Sequence, residues 1–358
     1  MTADHGDSAA ETLFLPLLES RLTWPDGGVL WLRARMCAPA RARRWPQLSC
    51  EQTFKPEADA LVRAGYALRD PEAVDQTRRY PMVLLLPPRQ REEARALMAR
   101  AVTCCEPGGT VLVCMRNEEG AKSGEADLKT LAGLSGSLSK QHCRVFWACI
   151  DPRRIDDELL SRWSGLDAPR LIAEGRFVSR PGVFAWDRID PASALLAEHL
   201  PADLRGRIAD LGAGYGYLSA EVLRKCPGIV ALDLYEAEAR ALALARRNLG
   251  DIASGRALEF FWRDVAAGLT RSYDAIVSNP PFHGHGRGAR PDIGRAFIMA
   301  AAEALVTGGR LWMVANRHLP YESVLATHFT AMRVVVDAQG FKVIEAVKGS
   351  GAGGRGRA

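Results

Sequence analysis

The strongest constraint on the fold of this chain is an internal repeat. Residues 80–88 read YPMVLLLPP and residues 273–281 read YDAIVSNPP, so each copy has a tyrosine, an apolar run and two prolines. Because proline lacks the amide hydrogen that a strand ladder needs, both runs are expected to be buried strands that stop at a rigid corner. Three further elements follow in the same order in each copy. The helical patterns are 92–103 and 294–305, the GG turns with their apolar strands are PGGTVLVCMRN and TGGRLWMVANR, and the closing strands are CRVFWA and FKVIEA.

This repeated order of elements predicts an α/β protein with two tandem Rossmann-like domains. Each domain is expected to be a mostly parallel, twisted sheet with helices on both faces. We place the N-terminal domain at residues 1–172, the C-terminal domain at 173–349, and a flexible glycine- and arginine-rich tail at 350–358. Chance similarity of two strand–helix–strand units is the alternative, and the shared offsets count against it.

The two copies differ where chemistry is expected. Leu86 occupies the position of Asn279, and no glycine-rich loop precedes Tyr80. The N-terminal copy is also shorter between the proline corner and the GG turn. We therefore interpret the N-terminal copy as degenerate: retained in structure and inactive in catalysis.

Composition and charge limit the function only weakly. The 358 residues include 47 basic and 42 acidic side chains, a net charge of +5 that does not by itself indicate nucleic-acid binding. Two arginine clusters either follow phosphates or are simply solvated; they are Arg41, Arg43 and Arg44, and Arg355 and Arg357. The eight cysteines form no C-x-x-C pair, so we expect buried reduced thiols and no metal. A polar N-terminus and the lack of a membrane-length apolar run favour the cytoplasm.

A glycine-rich loop marks the C-terminal copy as the binding domain. The segment RIADLGAGYG gives a short strand followed by Gly212, Gly214 and Gly216, and the helical stretch YLSAEVLRK comes next. The apolar run IVALD then ends at Asp233. Strand, glycine turn, helix, strand and acid is the layout of a nucleotide-binding βαβ unit, in which the acid accepts hydrogen bonds from ribose hydroxyls.

Two further acids indicate which nucleotide is bound. Asp210 gives the spacing D-x-G-x-G-x-G, and its carboxylate would repel a pyrophosphate at the helix N-terminus. An acid there suits a cationic ligand with an amino-acid head, such as S-adenosylmethionine (SAM). Asp264, at the end of ALEFFWRD, is placed to accept from an adenine amino group. A loop-capping role is the alternative for Asp264.

The motifs DLGAGYG, Asp233 and SNPPFHGHG resemble those of class I SAM-dependent methyltransferases with an Asn-Pro-Pro-aromatic corner. With RPGVFAWDRIDPAS, NRHLPYESVL, GFKVIEAVK and the duplicated layout, the chain is similar to the bacterial rRNA guanine-N2 methyltransferases, especially their small-subunit (16S) branch. The resemblance covers nearly the whole chain. It implies SAM-dependent methylation of the N2 amino group of a guanine in 16S rRNA, with rRNA or the small ribosomal subunit as partner. We expect a cytoplasmic, metal-free monomer whose N-terminal copy is an RNA platform.

The resemblance also assigns roles to individual residues. It implies a SAM site and a catalytic corner, and we add three candidate contacts to the RNA substrate. The SAM-binding residues are Asp210, Gly212, Gly214, Gly216, Asp233 and Asp264; the catalytic residues are Asn279, Pro280, Pro281 and Phe282; the substrate contacts are His283, Arg287 and Lys342. The sequence departs from the family at Ala192, where Gly is frequent, and at Ala185-Trp186, where Ser-Arg is frequent.

The Asn-Pro-Pro-Phe corner fits methyl transfer to an amino group on a conjugated ring. Such a nitrogen is a poor nucleophile because its lone pair is delocalised. The side-chain oxygen of Asn279 and the carbonyl of Pro280 can accept hydrogen bonds from the NH2 group and stabilise the positive charge that develops on it. Phe282 offers a face for stacking of the base, worth ~1–3 kcal/mol. A plain proline turn explains the prolines but not the flanking residues.

Four other functions remain open at the level of sequence. DNA adenine-N6 and protein glutamine methyltransferases also use an Asn-Pro-Pro corner, usually with Tyr as its fourth residue. The large-subunit branch of the rRNA family is a further option. A non-catalytic, SAM-binding ribosome assembly factor belongs to a different class, and the intact Asn279 argues against it.

Overall fold

The computed structural model describes residues 7–70, 78–253, 255–281 and 291–350, which form two compact units. The first unit holds the residues up to Pro169 together with Arg180–Gly182. The second holds Arg170–Ser179 together with the residues from Val183 onward. The predicted boundary at residue 172 falls within the first segment of the second unit.

The first unit is built on a seven-stranded sheet. Its order is β3-β2-β1-β4-β5-β7-β6, in which the pairs β5·β7 and β6·β7 are antiparallel and the others parallel. The strands are β1 (Val29–Leu32), β2 (Leu48–Glu51), β3 (Ala67–Arg69), β4 (Tyr80–Leu85), β5 (Cys105–Arg116), β6 (Gly136–Lys140) and β7 (Cys143–Cys149).

Helices cover both faces of this first sheet. In β1, Leu30 and Leu32 belong to one buried cluster and Val29 and Trp31 to another, so alternate side chains enter separate cores on the two faces. The helices are α1 (Ser8–Leu13), α2 (Leu15–Leu18), α3 (Ala38–Ala42), α4 (Lys55–Arg63), α5 (Arg91–Cys104), α6 (Ala121–Ala132) and α7 (Asp157–Ser164).

The second unit repeats this architecture. Its seven-stranded sheet has the order β12-β11-β10-β13-β14-β16-β15, with β14·β16 and β15·β16 antiparallel, and β8 pairs with β9 in a separate hairpin. The strands are β8 (Arg170–Ile172), β9 (Phe177–Ser179), β10 (Arg205–Leu211), β11 (Gly228–Glu236), β12 (Ala257–Trp262), β13 (Tyr273–Ser278), β14 (Leu305–Asn316), β15 (Ala331–Ala338) and β16 (Phe341–Val347).

The helices of the second unit again enclose two cores. Ile208 packs in one buried cluster, whereas Ala209 and Leu211 pack in the other, as expected for a central parallel strand. The helix α8 begins with Asp190 as N-cap and proline at its first position, a favourable start. The helices are α8 (Pro191–His199), α9 (Tyr217–Lys225), α10 (Ala239–Leu249), α11 (Pro291–Ala304) and α12 (Glu322–His328).

The identical strand orders confirm the predicted tandem α/β fold. The two proline corners leave equivalent strands, β4 and β13, next to equivalent central strands, β1 and β10. Leu86, which replaces Asn279, is 1% exposed, so the first copy fills this position with an apolar core residue.

The first copy also replaces the start of the glycine loop. Leu32 pairs with Leu85 as Leu211 pairs with Ser278, so Arg33 is the counterpart of Gly212. Arg33 has φ +56°, a left-handed conformation that is uncommon for a side-chain-bearing residue, and Gly212 has φ +74°. The Arg33 guanidinium lies 3.6 Å from the carboxylate of Glu93, which is 1% exposed. In the first copy, an arginine in an ion pair thus occupies the position at which the glycine loop of the other copy begins.

Most of the cysteine side chains lie in the core of the structure. Seven of the eight cysteines are buried, as predicted, and Cys149 is exposed. Among the described residues, no group of three or more His, Cys, Asp or Glu side chains is arranged to hold a metal ion. Over the same ranges, no helix has the length and apolar character needed to span a bilayer.

Candidate functional site

The strand order brings two loops together at one edge of the second sheet. Strand β10 lies between β11 and β13, and Leu211 pairs with Ser278 in parallel register. The glycine loop and Asn279 follow these two residues, and the Asn279 carbonyl oxygen lies 3.9 Å from the position that a Cβ on Gly212 would occupy. Open α/β sheets bind ligands at such a switch point in strand order.

A cleft opens between these two loops and the start of α8. Its volume is about 400 Å³, counting the open space at its mouth. Polar groups and aromatic rings share the lining, as in many small-molecule sites. The lining residues are Phe184, Ala185, Asp190, Ser193, Gly212, Ala213, Gly214, Tyr215, Tyr217, Leu218 and Asn279.

The glycine loop is held against the end of β11. The amides of Gly212 and Ala213 donate to the Tyr235 carbonyl at 2.9 and 3.1 Å, and the Gly214 amide donates to Glu236 Oε2 at 2.8 Å. Gly214 has φ +56°, and a Cβ built on it meets no described heavy atom within 4 Å beyond its chain neighbours. The loop therefore leaves open space that a ligand can approach closely.

Asp210 is buried directly before this loop. Its side chain is 0% exposed, Ser219 Oγ donates to its Oδ2 at 2.7 Å, and no described group donates to Oδ1. Burial raises the pKa of the Asp210 carboxyl to about 7. Asp210 does not line the cleft, so its predicted contribution to SAM binding acts through the loop that follows it.

The structure does not bring Asp233 to the cleft, which corrects its predicted ribose contact. Asp233 lies inside β11, its side chain is fully buried, and Tyr273 Oη donates to it at 2.8 Å. Arg207 and Arg271 each place an Nη1 atom 3.2 Å from its carboxylate. Both carboxylate oxygens are thus engaged by a network within the second unit, and none is directed to a ligand.

Glu236 is the acid that the structure places at the end of β11. Its Oε2 accepts from the Gly214 amide and its Oε1 from the Glu238 amide, each at 2.8 Å. Burial raises the pKa of its carboxyl. The sequence contains a signal for this: Glu236 lies three residues before the first residue of α10, where the end of a strand is expected. Glu236 takes the place of Asp233 as candidate ribose ligand.

Asp264 and Lys342 have local partners. Asp264 follows β12 and accepts from the Ala266 amide at 2.9 Å, so it caps a short 3₁₀ turn at the same sheet edge as Glu236. Lys342 in β16 pairs with Glu322 at 2.7 Å. Neither residue lines the cleft, so the adenine contact of Asp264 and the RNA contact of Lys342 stay predictions.

Asn279 lies in the cleft with its amide nitrogen engaged. Nδ2 donates to Asp190 Oδ2 at 2.9 Å and to Ser193 Oγ at 2.8 Å. No described residue donates to its Oδ1. Pro280 is buried and Pro281 is exposed. Phe282, His283 and Arg287 lie outside the described residues, so their predicted roles have no structural counterpart here.

Several lining residues were not predicted as site residues. Asp190 and Ser193 carry a helix N-cap signature in the segment DPAS, but sequence alone does not show what the cap faces. Phe184 is 61% exposed although it is large and apolar, and Ala185 has φ +48°, a strained conformation for alanine. The sequence did mark the segment around Phe184 and Ala185, because it departs from the family pattern at Ala185-Trp186.

The residues in and beside the cleft suit SAM in their chemistry. The open space at Gly214 admits a ligand against the backbone, and the Glu236 carboxylate lies next to it, where it accepts from the Gly214 amide. Carboxylates at Asp190 and Glu236 suit a ligand that carries a sulfonium and an ammonium group. Leu218 and Phe184 supply apolar contact.

Comparison with known proteins agrees with this architecture. Residues 174–345 match the family model described as methyltransferase small domain. The chain is 33% identical to ribosomal RNA small subunit methyltransferase C of Pseudomonas paraeruginosa, over 72% of this chain and 76% of that protein. It is 30% identical to the protein of the same name from Shewanella halifaxensis, over 81% and 82%.

A solved structure has the same fold over almost the whole chain. It is the Thermus thermophilus 16S rRNA N2 G1207 methyltransferase in complex with AdoMet and guanosine. The TM-score is 0.77, with coverage of 97% of this chain and 93% of that one, and the sequence identity is 24%. The similarity extends over both α/β units.

Proposed function

This chain belongs to the ribosomal RNA small subunit methyltransferase C family, and from that premise we propose that it methylates the N2 amino group of a guanine in 16S rRNA with SAM as methyl donor. The observation that carries the proposal is the Asn279 amide, which lies beside the glycine loop with its nitrogen held and its oxygen available. This geometry suits a substrate that presents N–H donors.

When bound, SAM supplies a methyl group on a positively charged sulfur. The guanine N2 atom attacks that carbon, the carbon–sulfur bond breaks, and its electron pair stays on sulfur. Asn279 Oδ1 and the Pro280 carbonyl accept hydrogen bonds from the NH2 group and so stabilise the positive charge that grows on nitrogen. The methylated nitrogen then loses one proton and returns to neutrality.

Placement of the two reactants is the second contribution of the site. The glycine loop and Glu236 hold the donor at the end of β10 and β11, while Asn279 holds the acceptor at the end of β13. Alignment of nitrogen, methyl and sulfur in one line can supply roughly 7–11 kcal/mol of the barrier. A guanine in structured RNA must first leave its stack, at a cost of a few kcal/mol.

Label transfer from SAM tests the proposal. We would incubate the full chain with methyl-labelled SAM and, separately, small subunits, large subunits and free 16S and 23S RNA, and map the label by mass spectrometry. The expected product is N2-methylguanine in 16S rRNA. Label in 23S RNA or on adenine N6 would show that the proposed substrate is wrong. SAM binding without label in any RNA would instead favour an assembly factor.

We expect Glu236→Gln to weaken SAM binding about 10-fold, because a carboxylate hydrogen bond is worth about 1.5–3 kcal/mol and glutamine keeps one acceptor. Calorimetric titration with SAM measures the change. The control is Glu238→Gln, at the N-cap of α10, whose carboxylate pairs with Arg240, whereas that of Glu236 accepts from the Gly214 amide. Equal SAM affinity of Glu236→Gln and wild type would remove Glu236 from the ribose site.

For the N-terminal domain, residues 1–172, we propose a role as a platform for the RNA backbone. Residues 33–69 hold eight basic and three acidic side chains, and of the basic ones Arg33 and Arg35 pair with Glu93 and Asp7 from outside this range. Arg43, Arg44 and Arg63 are exposed, and Arg43 stacks 3.8 Å above the ring of Trp45. Such a surface matches a phosphate chain. We further propose a monomeric, cytoplasmic enzyme that acts on rRNA or the small subunit.

Charge neutralisation tests this platform. The triple substitution Arg43→Gln, Arg44→Gln and Arg63→Gln should weaken binding to 16S rRNA and lower the slope of log K against log salt by up to about three. The control neutralises three exposed cations elsewhere in the same unit: Lys122→Gln, Lys140→Gln and Arg162→Gln. Equal losses in both triples would mean that RNA binding reflects net charge only.

A further inference from the structure

The amide of Asn279 is held by the first turn of one helix. Both acceptors of its Nδ2 atom, Asp190 Oδ2 and Ser193 Oγ, belong to the N-terminal turn of α8. They lie 89 and 86 residues away in sequence. Ser193 is 8% exposed, and all three side chains line the cleft.

These contacts determine which way the amide faces. An amide nitrogen has two N–H donors, and both are used here. Rotating the amide by half a turn would place Oδ1 against the Asp190 carboxylate, where two acceptors would repel each other. The nitrogen of Asn279 therefore faces α8, and its oxygen must face away from that helix turn.

Helix capping accounts for only part of this arrangement. Asp190 Oδ2 accepts from the Ser193 amide at 2.9 Å, which is an ordinary N-cap contact. Capping does not require the Ser193 hydroxyl, nor does it require a second donor on the same Asp190 oxygen. Both extra contacts go to Asn279, which directly follows strand β13.

We propose that Asp190 and Ser193 are positioning residues that hold the Asn279 oxygen toward the substrate amino group. This inference rests on the proposed methyl transfer and adds to it a role for the start of α8. The hydroxyl fixes the plane of the amide. The carboxylate also draws the N–H dipole toward itself, which increases the electron density on Oδ1 and makes it a stronger acceptor.

Four single variants separate geometry from charge. Ser193→Ala removes one acceptor and should lower kcat about 10-fold, and Ser193→Thr should restore most of it because the hydroxyl returns. Asp190→Ala should lower kcat by about 100-fold, whereas Asp190→Asn keeps an acceptor oxygen and should lose about 10-fold. In Ser193→Ala, which keeps every carboxylate of the cleft, the dissociation constant of SAM should change less than kcat. The assay uses labelled SAM and small ribosomal subunits that lack the modification.

A matched variant in the first unit serves as a control for the destabilisation that loss of a helix cap causes by itself. Asp156 caps α7 through the Leu159 amide at 2.8 Å and is remote in sequence from the catalytic corner. Asp156→Ala should lower the melting temperature as Asp190→Ala does, and leave kcat unchanged.

A double-variant series gives the sharpest test. In an Asn279→Ala background, adding Ser193→Ala should cause no further fall in kcat, since the group that Ser193 positions is gone. Additive losses, or wild-type kcat for Ser193→Ala, would overturn the positioning role while leaving the methyltransferase activity in place. Absence of transfer by the wild-type chain would instead show that the proposed function itself has failed.

Discussion

Replacement of Asn279 by alanine is expected to lower kcat for methyl transfer by about 10²–10³-fold, the usual cost of removing one preorganised charge-stabilising group. The side-chain oxygen meets the substrate nitrogen as charge develops, so its loss should act on the chemical step. The glycine loop and Glu236 are untouched, and the SAM dissociation constant should stay near that of the wild type. Single-turnover rates with labelled SAM and calorimetric titration measure the two quantities separately.

The degenerate copy supplies a control for this experiment. Leu86 holds the equivalent position in the first unit and is fully packed. Leu86→Ala should cost about 2–5 kcal/mol of stability through the cavity it leaves, with normal turnover by the protein that remains folded. Near-normal kcat for Asn279→Ala would show that the Pro280 carbonyl suffices and that the catalytic assignment of Asn279 is wrong.

Asp233→Ala should destabilise the second unit by about 3 kcal/mol, the lower end for removing one member of a buried ion pair. We choose the lower end because Arg207 is 37% exposed and regains water when its partner is lost. The Tyr273 hydroxyl keeps its contact with Tyr235 at 2.7 Å but loses the carboxylate. Denaturant unfolding of the full chain measures the change.

A ligand role for Asp233 would give a different result. In the folded state, Asp233→Ala should bind SAM with nearly wild-type affinity, because its carboxylate lies within the sheet network. The control is Glu259→Ala, which removes the exposed partner of Arg271 and should leave the unfolding midpoint almost unchanged. Wild-type stability combined with a tenfold loss of SAM affinity would restore the ribose assignment.

The repeat made the fold predictable from sequence. The same order of tyrosine, apolar strand, proline pair, helix and GG turn indicated the layout of both copies, and the strand orders confirm it. The course of residues 170–182 was not predictable in the same way. The short hairpin β8–β9 packs with the second unit and Arg180–Gly182 with the first, and neither segment has a strong periodic signal.

The site was less predictable from sequence, because a buried acid inside a strand was taken for the end of that strand. The run IVALD looked as if it ended at Asp233, since a charged residue usually leaves the core. Here the strand continues through Leu234 and Tyr235, and Asp233 stays inside because arginine and tyrosine side chains satisfy it. From sequence alone, an acid that stays inside a strand because distant residues pair with it looks the same as an acid that marks the end of the strand.

The contacts of Asn279 illustrate the same limit. Its type and position were evident from the proline corner. Its partners, Asp190 and Ser193, come from a helix far away in sequence, and only the folded chain brings them together.

The Arg33–Glu93 ion pair bears on whether the first copy could be given a glycine loop. Arg33→Gly would remove a cation that lies 3.6 Å from the carboxylate of Glu93, which is 1% exposed. Removing one partner of a largely buried ion pair usually destabilises a protein. A single glycine at this position should therefore lower the stability of the first unit and not restore a ligand site there.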